Sequence, residues 1–203
     1  MSNDKHILAL LRKAKKDPKT IYELSENLLA DIVDAVGKSH SIACRKSCAH
    51  CCYLRVSAYD YELVTIYKYL TEKVSKVQRE HLIESVNEQY ENVRGMTLKE
   101  HHHTNVKCPF LVNNSCTIYP VRPLSCAAYH SRSESICKRS YDNPSDESFS
   151  IPLDPHIESL RVNKHIFVQN KLEKDNEGHE LIQGIYRMIH NKNSLKEWKN
   201  IKT

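Results

Sequence analysis

Cysteines are the residues in this chain whose type and spacing could do chemistry. Four of the eight fall within nine residues, and the other four follow downstream. The eight are Cys44, Cys48, Cys51, Cys52, Cys108, Cys116, Cys126 and Cys137. Thiolates are soft, strong ligands for zinc and for iron–sulfur clusters, and gaps of two or three residues let a short loop wrap one ion or cluster. The sequence therefore predicts that all eight cysteines are metal ligands.

The first cluster must leave helical geometry to bind metal. A regular helix would separate Cys44 from Cys51 by about 10.5 Å along its axis, whereas sulfurs bonded to one zinc at about 2.3 Å lie much closer together. We therefore expect a loop that bends around its metal, followed by a helix. Neighbouring side chains point in different directions, so Cys51 should act with Cys44 and Cys48, while Cys52 faces ligands from the second half.

Composition fits one globular domain in a reducing compartment. The 203 residues include 40% hydrophobic residues and only 4 glycines, and the net charge is +5. Two centres of four thiolates each would lower that charge to about +1. The apolar run at 7–11 is too short for a signal sequence or a membrane span, so we expect a cytoplasmic protein without a membrane partner. In that compartment, metal or redox chemistry is favoured over a disulfide framework.

Apolar periodicity predicts a mostly α-helical bundle with a small β-hairpin and cysteine-rich metal-binding loops. The predicted helices are one around 7–16, one from a Thr20–Glu23 capping box to Gly37, one capped by Ser57 and running to Leu70, one from Ser75 to Val93, one from Asp154 to about Leu172, and one over 181–189. We expect loops at 97–107 and 131–150 and a charged tail that contains Trp198. The expected organisation is a single domain over 1–203, with a metal-binding core at about 40–140 on which the helical elements 1–37 and 154–203 pack.

The downstream cysteines are expected on three different elements. Cys108–Val112 and Cys116–Tyr119 predict a hairpin, because the asparagines of Asn113-Asn114-Ser115 tolerate positive φ in a tight turn. This hairpin would bring Cys108 and Cys116 together. A helical turn over 124–129 would carry Cys126, and the loop at 131–150 would hold Cys137.

Several other interpretations of these patterns are weaker. The Cys44-x3-Cys48-x2-Cys51 spacing occurs in radical S-adenosylmethionine enzymes, but those need a β/α barrel, and strands and helices do not alternate here. Zinc knuckles would need paired C-x2-C units, and clustering disfavours a lone Cys–His nucleophile. His50 and His130 are expected to be exposed or to lie beside ligands, and the histidine run at 101–103 is expected to be solvated. The basic runs at 12–16 and 196–202 are typical of solvated helix faces, so nucleic acid is not an expected partner.

Two linked motifs resemble a known family over about residues 40–140. They are Cys44-x3-Cys48-x2-Cys51-Cys52, and Cys108-Pro-Phe-Leu followed by Cys116-x-Ile-Tyr-x-x-Arg122-Pro123-x-x-Cys126. They are similar to the YkgJ-like cysteine-cluster family of zinc- or iron-chelating domain proteins, as are Val56, Glu62 and Ile151-Pro152-Leu153. The family often has glycine in the hairpin turn, where this chain has Asn113-Asn114-Ser115. The resemblance implies a metal centre.

The leading hypothesis is a metal-binding protein whose cysteines hold zinc or an iron–sulfur cluster in one or two centres. One alternative is an iron–sulfur enzyme, because flagellin lysine N-methylases are said to share the cluster. That enzyme would use S-adenosylmethionine, and Arg122 could contact its carboxylate. Another alternative is an interaction module with a structural metal. Metal ions are the expected partners, with a protein partner or substrate in addition. The simplest role for Arg122 itself is a pair with a nearby carboxylate or carbonyl.

Overall fold

The structure is a computed structural model that describes residues 2–171 and 178–200. The predicted end of a late helix near Leu172 and the end of the basic run at 196–202 lie outside these residues. The described chain is mostly α-helical, which confirms the predicted fold class. Its helices are α1 (Ser2–Lys16), α2 (Ile21–Lys38), α3 (Asp60–Glu72), α4 (Lys76–Val93), α5 (Leu98–His102), α6 (Leu124–Ala128), α7 (Glu134–Asp142), α8 (Pro155–Gln169), α9 (Leu181–His190) and α10 (Ser194–Asn200).

The predicted helices form, but two of their starts differ from the sequence-based expectation. The Thr20 hydroxyl donates to the Asp17 carbonyl, and Glu23 pairs with Lys13, so α2 lacks the expected capping box. Ser57 lies in a strand, and α3 begins after Tyr59. By contrast, the hydroxyl of Ser75 accepts the Gln78 N–H at 3.4 Å, which confirms the predicted start of α4.

One main hydrophobic core joins the two ends of the chain to the region of the downstream cysteines. Leu11, Ile32 and Ile66 of α1, α2 and α3 are fully buried in it, and so is Phe110 beside the hairpin. Trp198 is 2% exposed in the same core, so the expected charged tail contains the packed helix α10. No helix of the described residues is long and apolar enough to cross a membrane.

Two segments expected as loops contain short helices. Thr97 accepts the Glu100 N–H and starts α5, in which His101 is only 3% exposed. Ser133 accepts the Ile136 N–H and starts α7, which carries Cys137. The serines that suggested a loop at 131–150 include this one, which acts as an N-cap because its hydroxyl satisfies a free helical N–H.

The predicted hairpin is present, and a second small sheet accompanies it. The strands β2 (Leu111–Val112) and β3 (Ser115–Cys116) are antiparallel, and Leu111 lies opposite Cys116. Asn113 and Asn114 have φ of 49° and 55°, as a two-residue turn of this kind requires. The second sheet pairs β1 (Ser57–Ala58) with β4 (His179–Glu180), a long-range pairing that the sequence did not indicate.

Candidate metal centre

The first cysteine cluster is a loop followed by a short 3₁₀ turn over His50–Tyr53. The Cys48 N–H donates to the Arg45 carbonyl at 3.1 Å, and Ser47 in this turn has φ of 67°. Cys51 and Cys52 lie in the 3₁₀ turn. The expectation of a bent loop with a helix after it is thus confirmed, with β1 between the loop and α3.

Backbone hydrogen bonds fasten this cluster to the elements that carry the other cysteines. The Cys108 N–H donates to the Cys52 carbonyl at 2.8 Å, which places the start of the hairpin against the vicinal pair. The Ala43 N–H donates to the Ser131 carbonyl at 2.8 Å, which ties the residue before Cys44 to the segment that leads into α7.

The charges that act on Cys126 and on Cys44 come from different cysteines. A neighbouring thiolate raises the pKa of a thiol, and the effect falls with distance. Burial raises the pKa of Cys126, and the charges of Cys52, Cys108 and Cys116 raise it further. We call these four the core group, because Cys108 and Cys116 pack against the main hydrophobic core.

The second set includes Cys137, which lies on the surface helix α7. Burial raises the pKa of Cys44, and the charges of Cys48 and Cys137 raise it further. The pKa of Tyr129 is raised by burial and then by the charges of Cys137, Cys51 and Cys44. We call Cys44, Cys48, Cys51 and Cys137 the peripheral group, because none of the residues of α7 is buried.

The vicinal cysteines join the two groups. The Cys51 thiol donates a hydrogen bond to the Cys52 sulfur, which raises the pKa of Cys51 and lowers the pKa of Cys52 to about 7. The charge of Cys126 also raises the pKa of Cys51. The two groups are therefore immediate neighbours, with the Cys51–Cys52 peptide between them.

Backbone N–H groups support two sulfurs of the core group. The Phe110 N–H donates to the Cys108 sulfur, and the Ile118 N–H donates to the Cys116 sulfur. In both cases the donor lies two residues after the cysteine, and each bond opposes the pKa rise that burial causes. Such bonds favour the thiolate, which is the form that binds metal.

Surface contacts hold the peripheral group. Arg45 pairs with Glu134 at the start of α7, and the Tyr141 ring at its end lies 4.9 Å from the Tyr53 ring. The His50 ring is 5.6 Å from Tyr141, so this histidine packs against α7. Glu134 and Tyr141 were missed by the sequence reasoning, because the signal for α7 was a single serine N-cap in a polar segment.

The cysteines of each group lie in the same region, but their sulfurs do not surround a metal position in the described residues. Within residues 2–171 and 178–200, no set of three or more His, Cys, Asp and Glu side chains has the geometry to hold a metal ion. All eight cysteines are free and partly buried. The donor chemistry fits zinc or iron, since each group offers four thiols, but metal binding would require the sulfurs to draw together.

Arg122 lies beside the core group. Its guanidinium stacks on the Tyr119 ring at 3.6 Å, and its positive charge opposes the pKa rise of Cys116, which burial causes. The side chain is 9% exposed, and in the described part of the chain it has no hydrogen bond or ion pair, contrary to the expected pairing. The adjacent cavity, whose lining includes Tyr61, Glu62 and Leu124, has room for about one water molecule, which is far less than a small-molecule ligand needs.

The histidines near the cysteines have other surroundings. Burial lowers the pKa of His130, and its Nδ1 atom is buried without a hydrogen-bond partner among the described residues. In the run at 101–103, His103 bonds to Glu147 at 2.8 Å and His101 is buried. The expectation that this run is solvated is therefore wrong for His101.

A comparison with known families identifies the class of this helical cysteine-cluster protein. Residues 43–147 match the CxxCxxCC family, which is described as "Putative zinc- or iron-chelating domain". The match covers just over half of the chain and includes all eight cysteines, so the chain belongs to this family. The pattern in the family name has two residues between its first cysteines, whereas this chain has Arg45-Lys46-Ser47 there. No curated protein and no solved structure matches the chain.

Proposed function

We propose that this protein binds zinc or iron in two adjacent centres of four cysteines each. The core group forms one centre and the peripheral group forms the other. The observation that carries this proposal is the pair of backbone bonds that fasten the first cluster at two places, Cys108 to Cys52 and Ala43 to Ser131 ahead of α7. The charges of Cys52, Cys108 and Cys116 on Cys126, and those of Cys48 and Cys137 on Cys44, support the same division. The family match supports zinc or iron chelation in general, and the number and composition of the centres are our inference.

The two centres have different roles in this proposal. Four thiolates on one zinc make a closed structural site, and four thiolates can equally hold an iron–sulfur cluster, which carries electrons. The core group sits against the hydrophobic core, so its metal stabilises the fold. The peripheral group is completed by a surface helix, so its metal exchanges with solution. The metal of the peripheral centre is thus the one that a chelating or carrier function would use.

Arg122 contributes charge to the core centre in this proposal. A metal held by four thiolates carries a net charge of about −2, and a nearby guanidinium offsets part of it. A contact with the carboxylate of S-adenosylmethionine is disfavoured by the small cavity beside Arg122. The lysine methylase alternative therefore rests on the sequence resemblance, and no contact among the described residues favours it.

We also propose that the chain is one cytoplasmic domain. The main hydrophobic core includes residues of both the first helix, α1, and the last described helix, α10, which supports a single folding unit. Free thiols persist in a reducing compartment, which supports a cytoplasmic location for a protein with eight of them.

Anaerobic purification followed by elemental analysis tests the proposed function. Zinc, iron and acid-labile sulfide are measured in the same sample as the free thiols. We expect about two zinc ions per chain, or iron with sulfide in amounts that match about two clusters. A folded, metal-free protein with eight titratable thiols would show that the cysteines are not metal ligands.

A further inference from the structure

Glu62 is a buried carboxylate that belongs to neither group of cysteines. It lies in the first turn of α3 and is 4% exposed. Charged side chains are seldom buried to this extent unless polar groups surround them. The contacts of Glu62 therefore indicate what it does.

Two N–H groups from distant parts of the chain donate to the two oxygens of Glu62. The Tyr59 N–H donates to Oε2 at 2.8 Å, and the Leu124 N–H donates to Oε1 at 2.7 Å. Tyr59 precedes α3, and Leu124 is the first residue of α6. The first N–H groups of a helix lack internal partners and lie at its positive end, so one carboxylate satisfies the starts of two helices.

A third element, α8, packs beside the carboxylate without a hydrogen bond to it among the described residues. His165 of α8 is 6% exposed, and its Nε2 atom lies 3.7 Å from Oε1 of Glu62. The Tyr59 ring packs edge-on against His165 at 4.8 Å, and Arg161 bonds to the other ring nitrogen at 3.2 Å. Glu62 is thus enclosed by α3, α6 and α8.

This arrangement acts on a cysteine of the core group. Cys126 lies two residues after Leu124 in α6, a helix of only five residues. The negative charge of Glu62 raises the pKa of Cys126, although burial raises it more. Because α6 is so short, the anchor of its first N–H lies only two residues from Cys126 and acts together with the burial of Leu124, Ala127 and Ala128 to fix this helix. The other anchored segment, at Tyr59, follows Cys52 through β1.

We propose that Glu62 is a positioning residue that holds Cys126 against the other three cysteines of the core group. This inference rests on the proposed function of the core group as a metal centre. In this arrangement the metal ligands are the cysteines, and the two oxygens of Glu62 accept the N–H groups of Tyr59 and Leu124. It fixes the distance between the segments that carry Cys52 and Cys126.

The Glu62→Gln variant tests this role, because glutamine has the same size but only one acceptor oxygen. It can satisfy one of the two N–H groups and presents its amide NH₂ group, which is a donor, to the other. The Glu62→Asp variant serves if Glu62→Gln does not fold, because aspartate keeps the charge but cannot reach both donors. The Leu10→Ala variant in α1 is the control, since it removes buried apolar surface from a helix that carries no cysteine.

Binding of Co²⁺ as a spectroscopic probe reports on the thiolates in each variant. We expect Glu62→Gln to weaken one of the two sites about 10- to 100-fold, with a reduced thiolate-to-cobalt absorption band. In a Cys126→Ser background the same change should cause no further loss of affinity, because the two residues act through one sulfur. Leu10→Ala should lower the melting temperature without a change in affinity or spectrum. Glu62→Gln with wild-type affinity and spectrum would overturn the proposal.

Alkylation of metal-free protein separates this inference from the proposed function. A wild-type chain that binds no metal contradicts the function, while the reactivity of the Cys126 peptide still decides the role of Glu62. Faster alkylation of Cys126 in Glu62→Asp, which keeps the negative charge, than in wild type or Leu10→Ala, with Cys48 unchanged, supports positioning. An unchanged Cys126 rate contradicts it.

Discussion

The core group and the peripheral group contain the same number of thiols but are held by different forces. Around the core group, Leu124, Ala127 and Ala128 of α6 are 0–2% exposed, so Cys126 sits on a packed element. Around the peripheral group, α7 has no buried residue. Ligand type and spacing alone therefore do not decide how firmly a site is held.

The forces that dock α7 are individually small. The Arg45–Glu134 pair joins a side chain that is 67% exposed to one that is 36% exposed. Pairs of this kind contribute at most about 1 kcal/mol, and an aromatic contact such as Tyr141–Tyr53 adds about as much. Together with the bond from Asn105 to the Tyr141 carbonyl, these contacts lead us to expect that α7 opens more easily than α6. In the proposed arrangement, this opening would expose the peripheral group to solvent before the core group.

The largest expected difference between the groups is in thermal stability. Cys126→Ser removes a ligand from a centre that joins distant segments, so its binding energy is lost from the folded state. We expect the melting temperature to fall by about 10 °C, which corresponds to about 3 kcal/mol for a chain of this size. Cys137→Ser should lower it by only about 3 °C. Calorimetry of both metal-loaded variants measures the difference, and equal shifts would show that the groups are equally coupled to the fold.

Metal release should occur in two phases. A competing chelator should first remove the metal of the peripheral group, about tenfold faster than that of the core group, because only α7 must open. Stopped-flow measurement with a chromogenic chelator follows both phases. Circular dichroism should stay constant through the fast phase and change in the slow one. A single phase, with loss of helical signal from the start, would contradict a separate peripheral centre.

Removal of the aromatic contact of α7 should weaken the peripheral centre alone. Tyr141→Ala loses the packing against Tyr53 and His50, so about fivefold faster release is expected in the fast phase only. The control is Tyr186→Ala, which removes a stacked pair with Tyr90 at 3.6 Å between α9 and α4. That variant should leave both release phases unchanged. An acceleration of the slow phase by Tyr141→Ala would mean that α7 also supports the core group.

The smallest expected effect concerns the three-residue gap in the first cluster. Ser47 has φ of 67°, which glycine adopts without cost and β-branched residues resist. Ser47→Gly should change stability by less than about 1 kcal/mol and leave metal affinity intact. Ser47→Val should weaken metal binding by the peripheral group, which would appear as a smaller amplitude of the fast release phase. Equal affinities for the glycine and valine variants would argue that this turn does not shape the site.

Periodicity predicted the long helices because their stability comes from a continuous apolar face, which the sequence displays directly. The helices α2 and α4 show this in Leu24, Leu28, Leu82 and Val86. The hairpin was predictable for another reason, because Asn113 and Asn114 favour the required positive φ. These features depend on residues close together in the sequence.

Features that depend on distant partners were not predictable. The helix α7 has no apolar face toward the core, and β1 pairs with β4 across about 120 residues of chain. The sequence indicated that Cys51 and Cys52 should differ, but it did not assign Cys137 to a group. The double role of Glu62 depends on Leu124, 62 residues later, so no local pattern in the sequence could reveal it.

Metal stoichiometry in single-cysteine variants tests most directly whether two separate centres exist. Native mass spectrometry of wild type, Cys126→Ser and Cys137→Ser, each reconstituted with zinc, gives the number of ions per chain. Two centres predict about two ions in wild type and about one tightly bound ion in each variant. Cys126→Ser should retain the ion of the peripheral group, and Cys137→Ser should retain that of the core group. Loss of all metal from both variants would contradict the account, because it would mean that the eight cysteines form one indivisible centre.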